Sequence, residues 1–184
     1  MDGGRSYRRF LQGDDSGIVE IIRDYKDGLT LYLTGYVGNV FIAEELMEDT
    51  FFKLVTKKPR FSGKSSFKTW LYAIAKHLAL DYLRHSSRII SVPPEMADHI
   101  SPELSQIESD YIKEEQKIML HRALGKLSPE YRQVLYLLYF EDLPREEVAK
   151  LMNKNARALE NLIYRAKNSL KANLEKEGMQ YENI

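Results

Sequence analysis

From Arg60 to Arg84 the chain interleaves bases with aromatic side chains: Arg60, Phe61, Lys64, Phe67, Lys68, Trp70, Tyr72, Lys76, Tyr82 and Arg84. Cations attract phosphates and exposed rings stack on unpaired bases, so this combination suits a melted nucleic-acid strand. Lys68, Lys76 and Arg84 follow one another at intervals of eight residues and drift only slowly around one helix face. A loop carrying Phe61, Ser62 and Lys64 ahead of that face would make a cradle. Helical spacing also allows Trp70, Tyr72 and Tyr82 to be core residues, and Trp70 and Leu71 are expected to face inward.

The second set lies near the C-terminus. A short helix from about Pro144 to Met152, a turn at Asn153-Lys154-Asn155 and a long helix from about Ala156 to Lys176 fit a helix-turn-helix, whose second helix enters the major groove. Asn161 could read adenine, and Arg157 could contact guanine or phosphate. Arg165, Lys167 and Lys171 are placed to position the helix on phosphates. Ala149 is small where the two helices must approach. The competing reading is an ordinary helical hairpin that packs on a partner.

Catalytic and metal signatures are missing. The chain has no cysteine. His77, His85, His99 and His121 do not stand at metal-ligand spacing. There is no Gly-rich phosphate loop, HExxH or nucleophile elbow. The expectation is a protein that is no enzyme and holds no metal or cofactor. No apolar run is long enough to span a membrane, so a cytoplasmic location is expected. Net charge is zero, yet its distribution is uneven. Nine bases (Lys53, Lys57, Lys58, Arg60, Lys64, Lys68, Lys76, Arg84, Arg88) stand against Asp81 alone in the central stretch, whereas Glu95 to Gln116 is acidic. Local fields decide what a surface attracts.

The elements that must position these residues are helical. Apolar residues recur at period 3.6 in three stripes: Ile18 to Tyr36, Ala43 to Leu54, and Phe67 to Leu83. Pro59 and Gly63 interrupt the chain between the last two, and Ser65 or Ser66 is a suitable N-cap. Val92-Pro93-Pro94 and the acidic, Ser-rich stretch after it read as a linker. Helical spacing resumes at Ile112, and Ser128-Pro129 opens a further helix. The fold class is therefore all-α: two small helical domains joined by a flexible linker, the C-terminal one containing the helix-turn-helix. The boundaries are 1–92, 93–111 and 112–184.

Several ordered stretches resemble the extracytoplasmic-function (ECF) sigma factors of bacterial RNA polymerase. Ala43 to Phe51, Phe61 to Leu71 and Ala75 to Arg84 resemble that family's region 2. Leu127 to Leu135, Glu146 to Met152 and Ile163 to Lys167 resemble its region 4. The resemblance implies a sigma factor that binds core RNA polymerase, recognises and helps melt promoter DNA, and starts transcription of a specific gene set. It implies that Glu44, Glu45, Glu48 and Asp49 grip the polymerase. It places Arg60, Phe61, Ser62, Lys64, Ser65, Lys68, Lys76 and Arg84 on the minus-ten element. Asn155, Arg157, Ala158, Asn161, Arg165 and Lys167 would fall on the minus-thirty-five element. An anti-sigma factor is an expected partner, and Glu103, Glu108 and Asp110 suit a linker threading toward the RNA-exit path. Where the family often carries Gly-Thr-Val-Lys-Ser-Arg, this chain has Arg157 to Leu162. Glu160 and Leu162 replace usual bases, so each is expected to lose a phosphate contact. The alternative function is a stand-alone helix-turn-helix transcriptional regulator.

Overall fold

In the computed structural model, which describes residues 2–89, 120 and 122–177, seven bounded helices and no strand occur among the described residues. They are α1 (Gly3–Leu11), α2 (Ser16–Val37), α3 (Val40–Lys57), α4 (Phe67–Ile89), α5 (Pro129–Tyr139), α6 (Arg145–Leu151) and α7 (Ala156–Lys176). Residues 122–125 are also helical. The proposed linker, with Glu103, Glu108 and Asp110, lies outside the described residues, as do His99, His121 and the stretch from Ile112 to Ile118.

α1 is an element that the apolar stripes did not announce. The Asp2 side chain caps it, accepting from the Gly4 N–H at 3.0 Å. Tyr7 and Phe10 turn one face inward, and both are buried. α1 crosses α2 so closely that a Cβ on Gly17 would sit 2.2 Å from the Ser6 carbonyl oxygen. Only glycine permits that crossing. The Tyr7 hydroxyl donates to the Pro59 carbonyl at 2.8 Å, which ties α1 to the loop before α4. Burial pushes that hydroxyl's pKa up to about 12.

The three stripes become α2, α3 and α4. Asn39 caps α3 through the N–H groups of Phe41 and Ile42. Ser66 caps α4, its Oγ accepting from the Thr69 N–H at 3.2 Å. Ile21, Leu29, Leu33, Leu54 and Leu71 are fully buried between these helices, each contributing about 1.5–3 kcal/mol of transfer free energy. Leu71 faces the core as expected, and Trp70 is half-buried among Tyr7, Phe61 and Phe67, ring centroids 5.2–5.4 Å away.

The C-terminal helices pack around Val134, Leu137, Val148, Leu159, Ile163 and Ala166. Ser128 caps α5 through the Tyr131 N–H, with Pro129 in the first turn. The Arg132 guanidinium donates to the carbonyls of Leu124, Gly125 and Leu127, closing the turn ahead of α5. α6 starts at Pro144, which offers no side-chain cap. Val148, Ala149 and Leu151 of α6 are buried, and Asn153 turns the chain with φ 55° before α7.

Candidate nucleic-acid interface

The acidic residues of α3 share one exposed side of the molecule. Glu44, Glu45, Glu48 and Asp49 are all exposed, while Ala43, Leu46, Thr50 and Phe51 hold the opposite face in the core. Two large apolar side chains flank them: Phe41 is 73% exposed and Phe52 is 67% exposed. A shallow groove between α2 and α3, lined by Ile22, Met47, Glu48, Phe52 and Val55, continues that surface. Exposed rings interspersed with carboxylates give α3 a surface that is apolar and acidic together.

Arg60, Ser62 and Lys64 are exposed on the loop between α3 and α4, and Ser65 is half-buried. Phe61 turns inward instead. Its ring stands edge-on to Phe67 at 5.5 Å and tilted against Trp70 at 5.2 Å. It thereby anchors the loop that presents its neighbours. Arg84 is exposed and pairs with Asp81 at 2.9 Å, one turn back on α4.

Lys68 and Lys76 meet the C-terminal helices. Lys68 Nζ lies 2.8 Å from Glu141 Oε2 and donates to the Glu141 carbonyl at 3.0 Å. Lys76 Nζ donates to the Leu151 carbonyl at 2.6 Å, at the end of α6. Burial and the nearby Lys154 charge hold the Lys76 ammonium below the usual lysine range. Between these two, Glu147 of α6 reaches the start of α4. Its carboxylate accepts from the Ser66 N–H at 2.9 Å, from Ser66 Oγ at 2.6 Å and from the Thr69 hydroxyl. Burial works against its ionisation, but those bonds outweigh it and hold the carboxyl below the usual range. On the α2 side, the Tyr136 hydroxyl lies 3.0 Å from the Gly28 carbonyl oxygen and 2.8 Å from Glu141 Oε1. Tyr32 and Tyr136 stack across the same seam at 6.5 Å. Sequence reading did not find these contacts, because their partners stand 73 to 108 residues apart.

α6, its turn and α7 form the expected helix-turn-helix. Asn155 is the N-cap of α7, its Oδ1 accepting from the Ala158 N–H at 2.8 Å. Arg157, Asn161 and Arg165 are exposed along one side of α7, and Ala158 is half-buried. Lys167 is exposed and lies over the Tyr139 ring at 5.2 Å. Tyr164, 69% exposed between Asn161 and Arg165, adds a large side chain to this face that the base-reading pattern did not include. Leu162 corrects the expectation. It is a core residue, 6% exposed, so its side chain turns into the helical packing and this position is not placed for a phosphate contact. Glu160 is exposed and pairs with Arg145, Oε1 to Nε 3.1 Å. Its charge is therefore offset by a base on the neighbouring helix.

Two family models match this chain in the order of its two helical groups. The sigma-70 region 2 model matches residues 21–89, and the sigma-70, region 4 model matches residues 117–170. Together they take in about two thirds of the chain. The chain belongs to the sigma-70 family. It is similar over nearly its whole length to sigma factors of the extracytoplasmic-function group, and it is an ECF sigma factor itself. The RNA polymerase sigma factor SigV of Bacillus subtilis (strain 168) is 27% identical over 162 residues, covering 88% of this chain and 93% of that protein. The ECF RNA polymerase sigma factor SigW of the same organism is 26% identical over 175 residues, covering 91% and 94%. The solved structure of the sigma factor RpoE with the anti-sigma factor NepR from Bartonella quintana shares the fold. Its TM-score is 0.65 at 20% identity, covering 85% of this chain and 95% of that one. CnrH, solved with the cytosolic domain of CnrY, gives a TM-score of 0.62 at 17% identity, covering 95% of each chain. Among the described residues no helix is long and apolar enough to cross a membrane.

Proposed function

We propose that this sigma factor docks on core RNA polymerase through the exposed acidic face of α3, with Glu44, Glu45, Glu48 and Asp49 as its charged contacts. Phe41 and Phe52 supply apolar anchors beside them. The loop with Arg60, Ser62, Lys64 and Ser65, followed by Lys68, Lys76 and Arg84 on α4, binds the minus-ten element and helps hold it open. Phe61 shapes that loop from inside. Arg157, Asn161, Arg165 and Lys167 on α7 approach the minus-thirty-five element, with Asn155 and Ala158 letting its first turn come close. The working boundaries are 1–92 for the polymerase and minus-ten unit, 93–111 for the linker and 112–184 for the minus-thirty-five unit. The protein acts in the cytoplasm, makes and breaks no bond itself, and is restrained by an anti-sigma partner.

The observation that carries this reading is the coexistence in one chain of a helix-turn-helix and a loop-plus-basic-helix unit carrying its own docking face. A stand-alone regulator has no use for the second. Run-off transcription with core polymerase on the region upstream of the chain's own gene tests it. Specific initiation is expected only when the chain is added, and the absence of any specific start would overturn it.

A further inference from the structure

α1 and the loop before α4 lie side by side. The loop runs antiparallel to the helix, and successive loop residues meet successive turns. Lys58 Nζ sits over the Phe10 ring, 5.1 Å from its centroid. The Pro59 carbonyl accepts from the Tyr7 hydroxyl at 2.8 Å. The Phe61 ring comes so near Gly4 that a Cβ there would stand 3.0 Å from it. Helix positions 4, 7 and 10 thus hold the loop. Position 8 is one turn on from Gly4, and position 5 is one turn before position 8. Arg8 and Arg5 therefore follow the border of that contact, and both are exposed.

That border is basic and has no carboxylate to neutralise it. Arg5 and Arg8 on α1, Lys57 at the end of α3, and Lys58, Arg60 and Lys64 in the loop are all exposed. Among the described residues none of the six is paired with a carboxylate. Arg9 shows the contrast. It leaves the opposite side of α1 and pairs with Asp14 at 2.8 Å and Glu20 at 3.0 Å, fastening α1 to α2. Arg8 Nε donates to the Gly4 carbonyl of its own helix at 3.3 Å. Asp2 stands at the start of α1, where its carboxylate accepts from the Gly4 N–H and caps the helix. Cations gathered in this way repel one another, and the field they send outward draws a polyanion. The bonds from Tyr7 and the ring of Phe10 fix helix and loop together, so these cations form one continuous track.

We infer that α1 is itself a DNA-binding element: Arg5 and Arg8, with Lys57 and Lys58 beside them, hold the phosphodiester backbone of the single strand captured by the loop of residues 60–65, where that strand runs on past the loop. The inference rests on the proposed function and extends its minus-ten surface to a helix outside the region 2 match, which begins at residue 21. Arg5 and Arg8 stand about 4.5 Å apart along the helix axis, and their long side chains can take neighbouring phosphates. The contact is to backbone and not to base edges, so it adds affinity without sequence preference. α1 then has two tasks: Tyr7 shapes the loop, and the two arginines continue it.

The test uses holoenzyme, the full chain with core polymerase, and a start mapped by run-off transcription on the region upstream of the chain's own gene. The probe is a fluorescein-labelled single strand of that region, of non-template sequence, running from the minus-ten element to the start. Anisotropy follows its affinity across a salt titration. Arg5→Gln with Arg8→Gln should make the slope of log affinity against log salt shallower by about 1.4, near 0.7 for each single-strand phosphate contact. Arg5→Lys with Arg8→Lys should keep the wild-type slope, since a phosphate asks for charge. Arg23→Gln, which removes one charge from the exposed side of α2, should leave the slope unchanged. Helical circular dichroism should stay that of wild type, because both α1 arginines are exposed. In open complexes an iron chelate on Gln12→Cys, an exposed position one turn past Arg8 in a chain without cysteine, should cut the melted strand. An unchanged slope in the double glutamine variant, an equal change per charge in Arg23→Gln, or no cutting from position 12 would overturn α1 as a DNA contact and leave it a solvated basic face. No specific start from wild type would instead sink the sigma-factor assignment beneath it.

Discussion

Arg145 Nε stands 3.1 Å from Glu160 Oε1 and so joins the first residue of α6 to the first turns of α7. Both side chains are more than half exposed. The pair therefore contributes little to stability, about 0–1 kcal/mol. Its consequence is electrostatic. The glutamate stands at the end of α7 proposed to face DNA, and a guanidinium held beside it offsets its charge.

Glu160→Lys should accordingly free Arg145 and add a second base at that spot. Binding of duplex DNA by the holoenzyme should tighten and become more sensitive to salt. The slope of log affinity against log salt should steepen by about one to two, near 0.9 per added phosphate contact. Thermal stability should hardly move. A salt titration of anisotropy checks this, and an unchanged slope would place this end of α7 away from the phosphates.

Reversal of Glu44, Glu45 and Glu48 to Lys should weaken binding to core polymerase while helical content stays the same. All three are exposed, and the core side of α3 is made by other residues. Rim charges act mainly on association, so the loss should appear in the on-rate and shrink at high salt. Surface plasmon resonance with immobilised core polymerase measures it. Equal on-rates would remove this face from docking.

Gly17→Ala tests the crossing of α1 and α2. Alanine ordinarily gains about 0.5–1 kcal/mol over glycine inside a helix. Here the new methyl would sit 2.2 Å from a backbone oxygen, which cannot rotate aside. Overpacking of that kind costs about 1–3 kcal/mol, so net destabilisation is expected. Urea unfolding should show a lower midpoint at unchanged slope, and a gain in stability would contradict the close crossing.

Much of this architecture was legible in the residues, and its gaps have physical causes. The stripes from Ile18, Ala43 and Phe67 became α2, α3 and α4 because each supplies an apolar face long enough to define a period. α1 went unread because nine residues carry only Tyr7, Phe10 and Leu11 as large apolar side chains, too few to set a period. Leu162 was misread because alignment with a family pattern names a position without saying which way the helix turns it. Its neighbours Leu159 and Ile163 are also buried, so the apolar spacing already pointed inward. The seam between the two helical groups left no trace in the sequence. Its bonds run from Ser66, Lys68 and Lys76 to polar groups more than seventy residues away, and polar pairing has no period.

That seam should also respond to acid. The bonds from Ser66 and Thr69 hold the Glu147 carboxyl below its ordinary pKa, against the opposing effect of burial, with Lys150 adding a smaller electrostatic push in the same direction. When the chain opens, those bonds are lost and the carboxyl returns toward the usual carboxylate range. A group whose pKa is depressed in the closed form stabilises that form at pH values above its open-state pKa. The stabilisation is lost as pH falls through the closed-state value. Energy transfer between a fluorescent pair on Thr56→Cys and Asn168→Cys, two exposed positions, should therefore stay high near neutrality and fall on acidification below the ordinary glutamate range. In Glu147→Gln the contact has no charge to lose, so closure should be weaker at neutral pH and its dependence on acid flattened. An acid step of equal size in wild type and Glu147→Gln would assign it to some other carboxylate and remove Glu147 from the hinge of this response.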